Sequence, residues 1–389
     1  MRLLVFVDQV YWTDGETCST DEAYLLFPLA FAGAAEALVF LGRHAPARER
    51  KAFAVQGPGV HFRPLPFYEN LYQLWRAAPR FYSKLNEAIR QAVKGCDAAW
   101  ICGPNPVGHR VARECAALNK PFFLVVRENL VRIMAAKHRG LKRPLAMMLA
   151  WQQQRQFKRL AHGRTVFAVG AEMAAVYRAV TPRAHVHYPS LVTRAQQSEY
   201  ALLSGPPADR RLLAVGRLSA EKGYHHLLSA VARLERKGLG CSLDLVGSGP
   251  EEEALRRQAR DLGLKDRVIF HGYVIFGPKL LPFYSQSSAL VVPSLSEGFP
   301  QVICEALLLG LPVIASAVGG IPAVLKHGET ALLVPPGNPE ALANAIHHLL
   351  GSPESWRKMS RNGREQMREF TLEAQRDQML DTIQTEVLG

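Results

Sequence analysis

The chain reads as an α/β protein made of two Rossmann-like lobes, each a parallel sheet with crossover helices, facing across a central cleft. Three observations lead there. At 389 residues the chain is too long for one small core. Short apolar runs alternate with longer amphipathic ones along its whole length, the pattern of strands joined by crossover helices. That alternation pauses at a polar stretch, Thr193 to Arg211 with Gly205-Pro-Pro207, and then restarts. The expected division is a first domain over 1–192, a linker over 193–210 and a second domain over 211–370.

In the first half the apolar runs place strands at 2–8, 37–42, 60–65, 98–102, 122–127, 165–169 and 185–188. The opening run, Met1-Arg-Leu-Leu-Val-Phe-Val-Asp8, is too short for a signal peptide and reads as a buried strand. Helices are expected over 20–34, 69–94, 106–118, 144–161 and 171–180. In the second half strands fall near 212–216, 242–247, 267–271, 289–293, 312–316 and 331–334. Helices fall near 221–237, 250–262, 277–286, 300–309 and 339–350. Asn338-Pro339-Glu340 and Ser352-Pro353-Glu354 are N-cap, proline and glutamate starts. The segment 353–387 reads as helical throughout. The longest uncharged stretch, Ala306 to Leu325, is interrupted by Gly310, Pro312, Gly319, Gly320 and Pro322, which excludes a spanning helix there.

Composition is that of a soluble globular protein, 48% hydrophobic and 21% charged, with no internal repeat. The cysteines Cys18, Cys96, Cys102, Cys115, Cys241 and Cys304 are scattered without a Cys-x-x-Cys pair. Neither a zinc site nor a disulfide framework is suggested, which fits a reducing cytoplasm. The net charge of +13 sits in one half. Residues 1–200 hold 27 Lys and Arg against 14 Asp and Glu, and the remainder holds 20 of each. From Arg127 to Arg164 there are ten basic residues and one acid, Glu128. That excess points to an anionic partner for the first half: a phosphorylated substrate, a membrane surface or nucleic acid.

The most informative stretch is Glu297-Gly-Phe-Pro-Gln-Val-Ile-Cys-Glu305. Pro300 is expected as a first helical residue, with Glu297 in the loop before it and Glu305 about a turn and a half inside. The offset from Pro300 to Glu305 is then about 7.5 Å along the axis, near the span from a nucleotide's pyrophosphate to its ribose. Backbone amides of Gly298, Phe299, Pro300, Gln301 and Val302 mark the helix start, where phosphate is favoured. Glu305 can accept from a diol, which leaves Glu297 beside whatever the outer phosphate carries. Either glutamate alone would more often be a solvated or dipole-pairing side chain.

The surroundings add weight. Leu212-Leu-Ala-Val-Gly-Arg-Leu-Ser-Ala-Glu-Lys-Gly223 is a strand ending in Gly216, with Arg217 and Lys222 flanking a helix start. Ligands gather at strand carboxyl ends in such sheets, and two cations there can hold a pyrophosphate. Next, Leu245-Val-Gly-Ser-Gly-Pro-Glu251 brings Gly247 and Gly249 to another strand end. Glu252 occupies the third glycine's place of a dinucleotide fingerprint, so a nicotinamide site is unsupported. The strand Val268-Ile-Phe-His-Gly-Tyr-Val274 offers backbone at Tyr273 and Val274 for a nucleobase.

These motifs, with Pro293-Ser-Leu-Ser-Glu-Gly-Phe-Pro300, Glu305-Ala, Gly319-Gly-Ile-Pro322 and Gly328-Glu-Thr-Ala-Leu-Leu-Val-Pro335, resemble the retaining GT-B glycosyltransferases of family four. The likeness covers essentially all of 210–370. It implies transfer of a sugar from a nucleoside diphosphate, with uridine favoured over guanosine or adenosine, anomeric retention, no cofactor and no required metal. Arg217 and Lys222 would hold the pyrophosphate, Glu297 the donor sugar and Glu305 the ribose. No Asp-x-Asp motif occurs, which is consistent with metal independence. The terminal segment 371–389 resembles the family's return to the first domain.

The first half resembles the family only in fold. Asp14-Gly15, with Thr20 or Asp21 as helix cap, stands for its first glycine-rich loop but lacks a second adjacent glycine. Cys102 and Arg127 occupy strand ends where the family often carries histidines. Gly15, Cys102, Arg127 and His109 are therefore the acceptor-side candidates, with Arg127 expected to bind an oxyanion. For His109 and Asn105 a surface or capping role is the simpler expectation. The segment Lys137-His-Arg-Gly-Leu-Lys-Arg143 leading to Met147-Met-Leu-Ala-Trp151, Arg155 and Lys158-Arg159 is basic and amphipathic. It reads as a packed helix with a solvated face, or as a docking face for an anionic membrane bearing a lipid-linked acceptor. Rival readings are a GT-B epimerase or phosphorylase, a dehydrogenase, and a nucleic-acid module. The last two lack a glycine fingerprint and a base-reading motif respectively.

Overall fold

A computed structural model describes residues 1–14, 17–46, 51–127, 129–131, 134, 142–200 and 205–389. The chain divides into unit 1, Met1–Pro189 with Gln375–Gly389, and unit 2, Ser190–Ala374.

Unit 1 is built on β1 (Arg2–Thr13), β2 (Cys18–Thr20), β3 (Ala37–Pro46), β4 (Phe53–Ala54), β5 (Val60–Leu65), β6 (Ala98–Gly103), β7 (Phe122–Val126), β8 (Val166–Val169) and β9 (Ala184–His187). The parallel strands run in the order β5-β3-β1-β6-β7-β8-β9, and β2 and β4 extend the far end of β1 as an antiparallel pair. The helices are α1 (Leu26–Leu29), α2 (Leu71–Trp75), α3 (Pro79–Lys94), α4 (Pro106–Ala117), α5 (Lys142–Ala161) and α6 (Ala171–Arg178). α3, α4 and α5 lie side by side on the sheet. Their apolar stripes, such as Leu85, Ile89, Val111 and Phe157, close over Leu4, Phe6, Ile101 and Leu124.

Unit 2 contains β10 (Arg211–Val215), β11 (Ser242–Val246), β12 (Val268–Gly272), β13 (Ala289–Val292), β14 (Val313–Ser316) and β15 (Ala331–Val334). All pair in parallel in the order β12-β11-β10-β13-β14-β15. The order reverses direction between β10 and β13, the switch point at whose carboxyl edge open α/β sheets collect ligands. Its helices are α7 (Arg194–Glu199), α8 (Tyr224–Arg236), α9 (Glu252–Asp261), α10 (Leu281–Ser285), α11 (Gln301–Leu308), α12 (Ile321–Val324), α13 (Pro339–Gly351) and α14 (Pro353–Gln366); α15 (Leu372–Ile383) crosses the boundary. Continuous apolar strands such as Ala289-Leu-Val-Val292 are buried along their length, as a sheet covered on both faces requires.

Several expectations shift. The expected helix over 69–94 is two helices, because Pro79 holds Ala78 extended at ψ 154° and starts a new one. The helix over 20–34 shrinks to a 3-10 turn and α1. Thr20 belongs to β2, and its hydroxyl accepts from the Glu22 N–H at 3.3 Å instead of capping a long helix. Asp14 accepts from the Thr17 N–H at 2.8 Å, and Gly15 lies outside the described residues. The linker is partly ordered, since Thr193 and Gln196 form a capping box at the start of α7. The terminal helix breaks at Thr371, extended at ψ 158°. Ala306 to Leu325 divides into the end of α11, β14 and α12, and no helix among the described residues is long and apolar enough to cross a membrane.

Candidate active site

The carboxyl edge of β10 and β13 is where the charged residues of unit 2 meet. After β10 the chain runs through Gly216 and Arg217 into a 3-10 turn, Ala220–Lys222, that closes on Gly223 at φ +66°. A Cβ on Gly223 would lie 2.2 Å from the Pro293 carbonyl oxygen, so only glycine lets this turn sit against the loop after β13. The Leu295 N–H donates to the Glu221 carbonyl at 2.8 Å and fastens the two loops. Lys222 thereby reaches Glu297, Nζ to Oε1 at 2.6 Å, and the Ser294 hydroxyl donates to the same oxygen at 2.7 Å. The Glu297 side chain is 11% exposed and that of Lys222 is 26% exposed. Arg217 is exposed, and its guanidinium carries no ion pair among the described residues. A half-buried ammonium beside a free guanidinium at strand ends is an arrangement that can receive an anion.

The other expected residues surround this centre to different degrees. Gly247 packs its backbone on Gly216, and Gly249 packs on Leu218, whose N–H donates to the Ser248 carbonyl at 3.0 Å. Gly298 is exposed, Phe299 and Pro300 are buried, and Gln301 and Val302 are half-buried. The amide nitrogen of Gln301 is buried without a hydrogen-bond partner among the described residues. Pro300 is the N-cap of α11, with ψ 128°, so the helix begins at Gln301, one residue later than expected. Tyr273 is 55% exposed beyond β12, and Val274 is half-buried.

Glu305 lies inside α11 and is 4% exposed. The Tyr284 hydroxyl donates to its Oε2 at 2.5 Å. Burial pushes the Glu305 carboxyl up to about 7, against the lowering effect of the Tyr284 bond. The folded state therefore holds this proton more tightly than the unfolded chain does. The associated stability is present below about 4.5, the ordinary glutamate value, and is lost as pH rises through about 7. The thermal midpoint is expected to fall across that window, and Glu305→Gln is expected to flatten the fall. A wild-type midpoint level from pH 4.5 to pH 7 would contradict the buried carboxyl.

Two features here escaped the sequence. Ser294 fixes the Glu297 oxygen, and Gly319 braces the loop from behind. A Cβ on Gly319 would lie 1.8 Å from the Glu297 carbonyl oxygen, and the Gly320 N–H donates to the Gly298 carbonyl at 2.7 Å. The glycine pair was visible as a motif, but its target was not.

In unit 1, Arg127 and Cys102 come together through Tyr24. The guanidinium lies 3.8 Å from the Tyr24 ring centroid, and the Tyr24 hydroxyl is 3.8 Å from Cys102 Sγ. Trp100 Nε1 donates to that sulfur at 3.3 Å, and burial raises the thiol, so Cys102 is a packed group and not a poised thiolate. Asn105 caps α4 by accepting from the Val107 and Gly108 N–H groups. Its amide also donates to Asp8, which pairs with Arg43 Nε at 2.9 Å and accepts from the Tyr68 hydroxyl at 2.7 Å. The Asp8 network joins four segments and was not anticipated. His109 stands apart, on α4 facing α5 across a cavity. Lys137, His138 and Arg139 lie outside the described residues.

Residues 204–366 match the model of the family described as glycosyl transferases group 1. The alpha-D-kanosaminyltransferase of Streptomyces kanamyceticus is 32% identical over 172 residues, covering 44% of this chain and 44% of that protein. The 2-deoxystreptamine glucosyltransferase of the same organism is 30% identical over 209 residues, covering 52% and 53%. The chain thus spans about half the length of these curated relatives. Fold similarity extends further. Anabaena HepE in complex with UDP aligns with a TM-score of 0.70 at 19% identity, over 99% of this chain and 100% of that one. Sucrose-phosphate synthase from Thermosynechococcus elongatus aligns with a TM-score of 0.72 at 22% identity, over 98% of each. The architecture is that of the GT-B glycosyltransferases, and residues 204–366 carry the glycosyl transferases group 1 sequence pattern.

Proposed function

We propose that this protein transfers a sugar from a nucleoside diphosphate to an acceptor hydroxyl, with retention at the anomeric carbon and without a required metal. The observation that carries the reading is the Lys222–Glu297–Ser294 cluster beside Arg217 at the switch point of unit 2. Arg217 and Lys222 take the diphosphate and stabilise the charge that grows as it departs, the part a cation plays elsewhere. Glu297 and the adjoining Gly298–Pro300 backbone contact the sugar. A uridine donor is favoured, since fold neighbours were crystallised with UDP and with UDP-glucose.

No second carboxylate opposite Glu297 offers itself as a nucleophile, which favours front-face displacement. The acceptor oxygen bonds to the anomeric carbon as the sugar–phosphate bond breaks, and the acceptor proton passes to the departing phosphate oxygen. A hydrolysis screen of UDP-, GDP- and ADP-sugars, with the product anomer read by NMR, tests both claims. UDP-sugar turnover with retention is expected; inversion or a trapped glycosyl-enzyme would contradict the mechanism.

Glu305 receives the ribose. Because a diol donates to a carboxylate, nucleotide affinity is expected to rise with pH through about 7, opposite to the stability trend. Affinity that ignores pH would remove Glu305 from the ribose. The basic first unit is the acceptor side, which suits an anionic or lipid-linked acceptor. Arg127, ordered on Tyr24, binds an oxyanion there. Arg127→Ala is expected to lower kcat/KM by about tenfold or more, since a charge-assisted contact contributes about 1.5–3 kcal/mol. Unchanged turnover would dismiss Arg127.

A further inference from the structure

The exposed large apolar side chains of unit 1 are concentrated in two places. One is α2 and the residue run before it, where Phe67, Leu71, Tyr72 and Trp75 are exposed, Trp75 to 77%. The other is the first half of α5, where Leu145, Met148, Leu149 and Trp151 are each about half exposed or more. Among the described residues of this unit only Leu388 adds to them. On α5 these positions lie opposite the stripe of Ala150, Gln154, Phe157 and Ala161 that packs inward, so core packing does not account for them.

The two patches are physically linked. The Tyr82 hydroxyl on α3 donates to the Leu74 carbonyl of α2 at 2.6 Å. Arg110 on α4 stacks on the Tyr82 ring at 4.6 Å. Arg110 in turn lines a cavity of about 210 Å³ whose other walls include Asn105, His109 and Arg113 of α4 and Gln153 and Gln156 of α5. None of its lining residues is acidic. The Gln153 amide oxygen is buried without a partner among the described residues, ready for a donor. Basic side chains border both patches: Arg76 and Arg80 beside α2, and Arg143, Arg155 and Arg159 on α5. No acid occurs from Trp75 to Lys84 or within α5.

We propose that this face of unit 1 docks on an anionic phospholipid bilayer, with the apolar side chains of α2 and α5 entering the interface and the cationic cavity between them receiving a lipid phosphate. Tryptophan and tyrosine favour the headgroup level, and arginine stems cover apolar surface while their heads meet phosphate. Partly inserted apolar groups and basic neighbours then add, which neither achieves alone. His109, which burial and Arg113 hold below the ordinary imidazole range, would be drawn toward its charged form by a phosphate in the cavity.

The proposal deepens the reading of unit 1 as the acceptor side, but its test needs no turnover. The full chain is floated with phosphatidylcholine vesicles and with vesicles that also carry phosphatidylglycerol, at constant ionic strength. Binding to the anionic vesicles only is expected, with no release by inorganic phosphate. The double variant W75S/M148S alters exposed positions and is expected to abolish flotation while leaving the thermal midpoint and donor hydrolysis unchanged. Arg113→Gln is expected to weaken partitioning about fivefold, the equivalent of about 1 kcal/mol for one basic residue near an anionic surface. Equal flotation with neutral vesicles, no flotation, insensitivity to W75S/M148S, or release by inorganic phosphate would each overturn the proposal. The last result would assign the cavity to a soluble phosphate. Loss of flotation with intact donor hydrolysis, or the reverse, separates this inference from the proposed reaction.

Discussion

Replacing Lys222 with alanine is expected to lower kcat by about 10²–10³-fold, the loss seen when one preorganised donor to a developing charge is removed. Two effects combine. Lys222 would be one of two cations facing the departing diphosphate, and Arg217, solvated and unpaired, cannot take over its position. Lys222 also neutralises Glu297, whose side chain is only 11% exposed. Without it that carboxylate keeps the Ser294 bond alone and becomes easier to protonate. Glu297→Gln separates the two effects, because the amide can still accept from Ser294 while the charge is gone. If the pair acts as a unit, the double variant K222A/E297Q is expected to be little worse than either single one. Full additivity would mean that the 2.6 Å contact in the ligand-free chain has no bearing on turnover.

The second large effect is on the fold of the site. Gly319→Ala is expected to destabilise unit 2 by about 4 kcal/mol or more, at the severe end of single substitutions. Gly319 is at φ +54°, and the added methyl would sit 1.8 Å from the Glu297 carbonyl oxygen. The obstacle is backbone, so no rotamer change relieves it, and the loop that carries Glu297 must move. Gly328→Ala is the matched control. It also has a positive φ, +73°, but nothing lies within 4 Å of its added Cβ. Only the left-handed strain remains there, about 1–2 kcal/mol. Denaturant midpoints that fall equally for both variants would show that conformation alone sets the cost and that the approach to Glu297 does not matter.

The parts that were legible from sequence are those set by local chemistry. Ala289-Leu-Val-Val292 could only be a buried strand, and Pro106 after Asn105 announced the start of α4. Arg217, Lys222 and Glu297 stood out because each follows a strand end. The rest depends on contacts between distant segments. Pro79 splits a helical run that periodicity alone would join, and Thr20 is drawn into a strand by Phe53, far along the chain. The Asp8 network draws on Arg43, Tyr68 and Asn105, and its last bond spans 97 positions. No spacing rule reveals such a cluster. The bond from Ser294 to Glu297 is local, yet serine three residues before glutamate is too common to single out.

The most direct measurement is a crystal structure of this chain with an intact nucleotide sugar. The account predicts the Arg217 guanidinium and the Lys222 ammonium within hydrogen-bond distance of the diphosphate, with the sugar against Glu297 and the ribose at Glu305. A nucleotide sugar bound elsewhere, or bound here with Arg217, Lys222 and Glu297 turned away from it, would contradict the account.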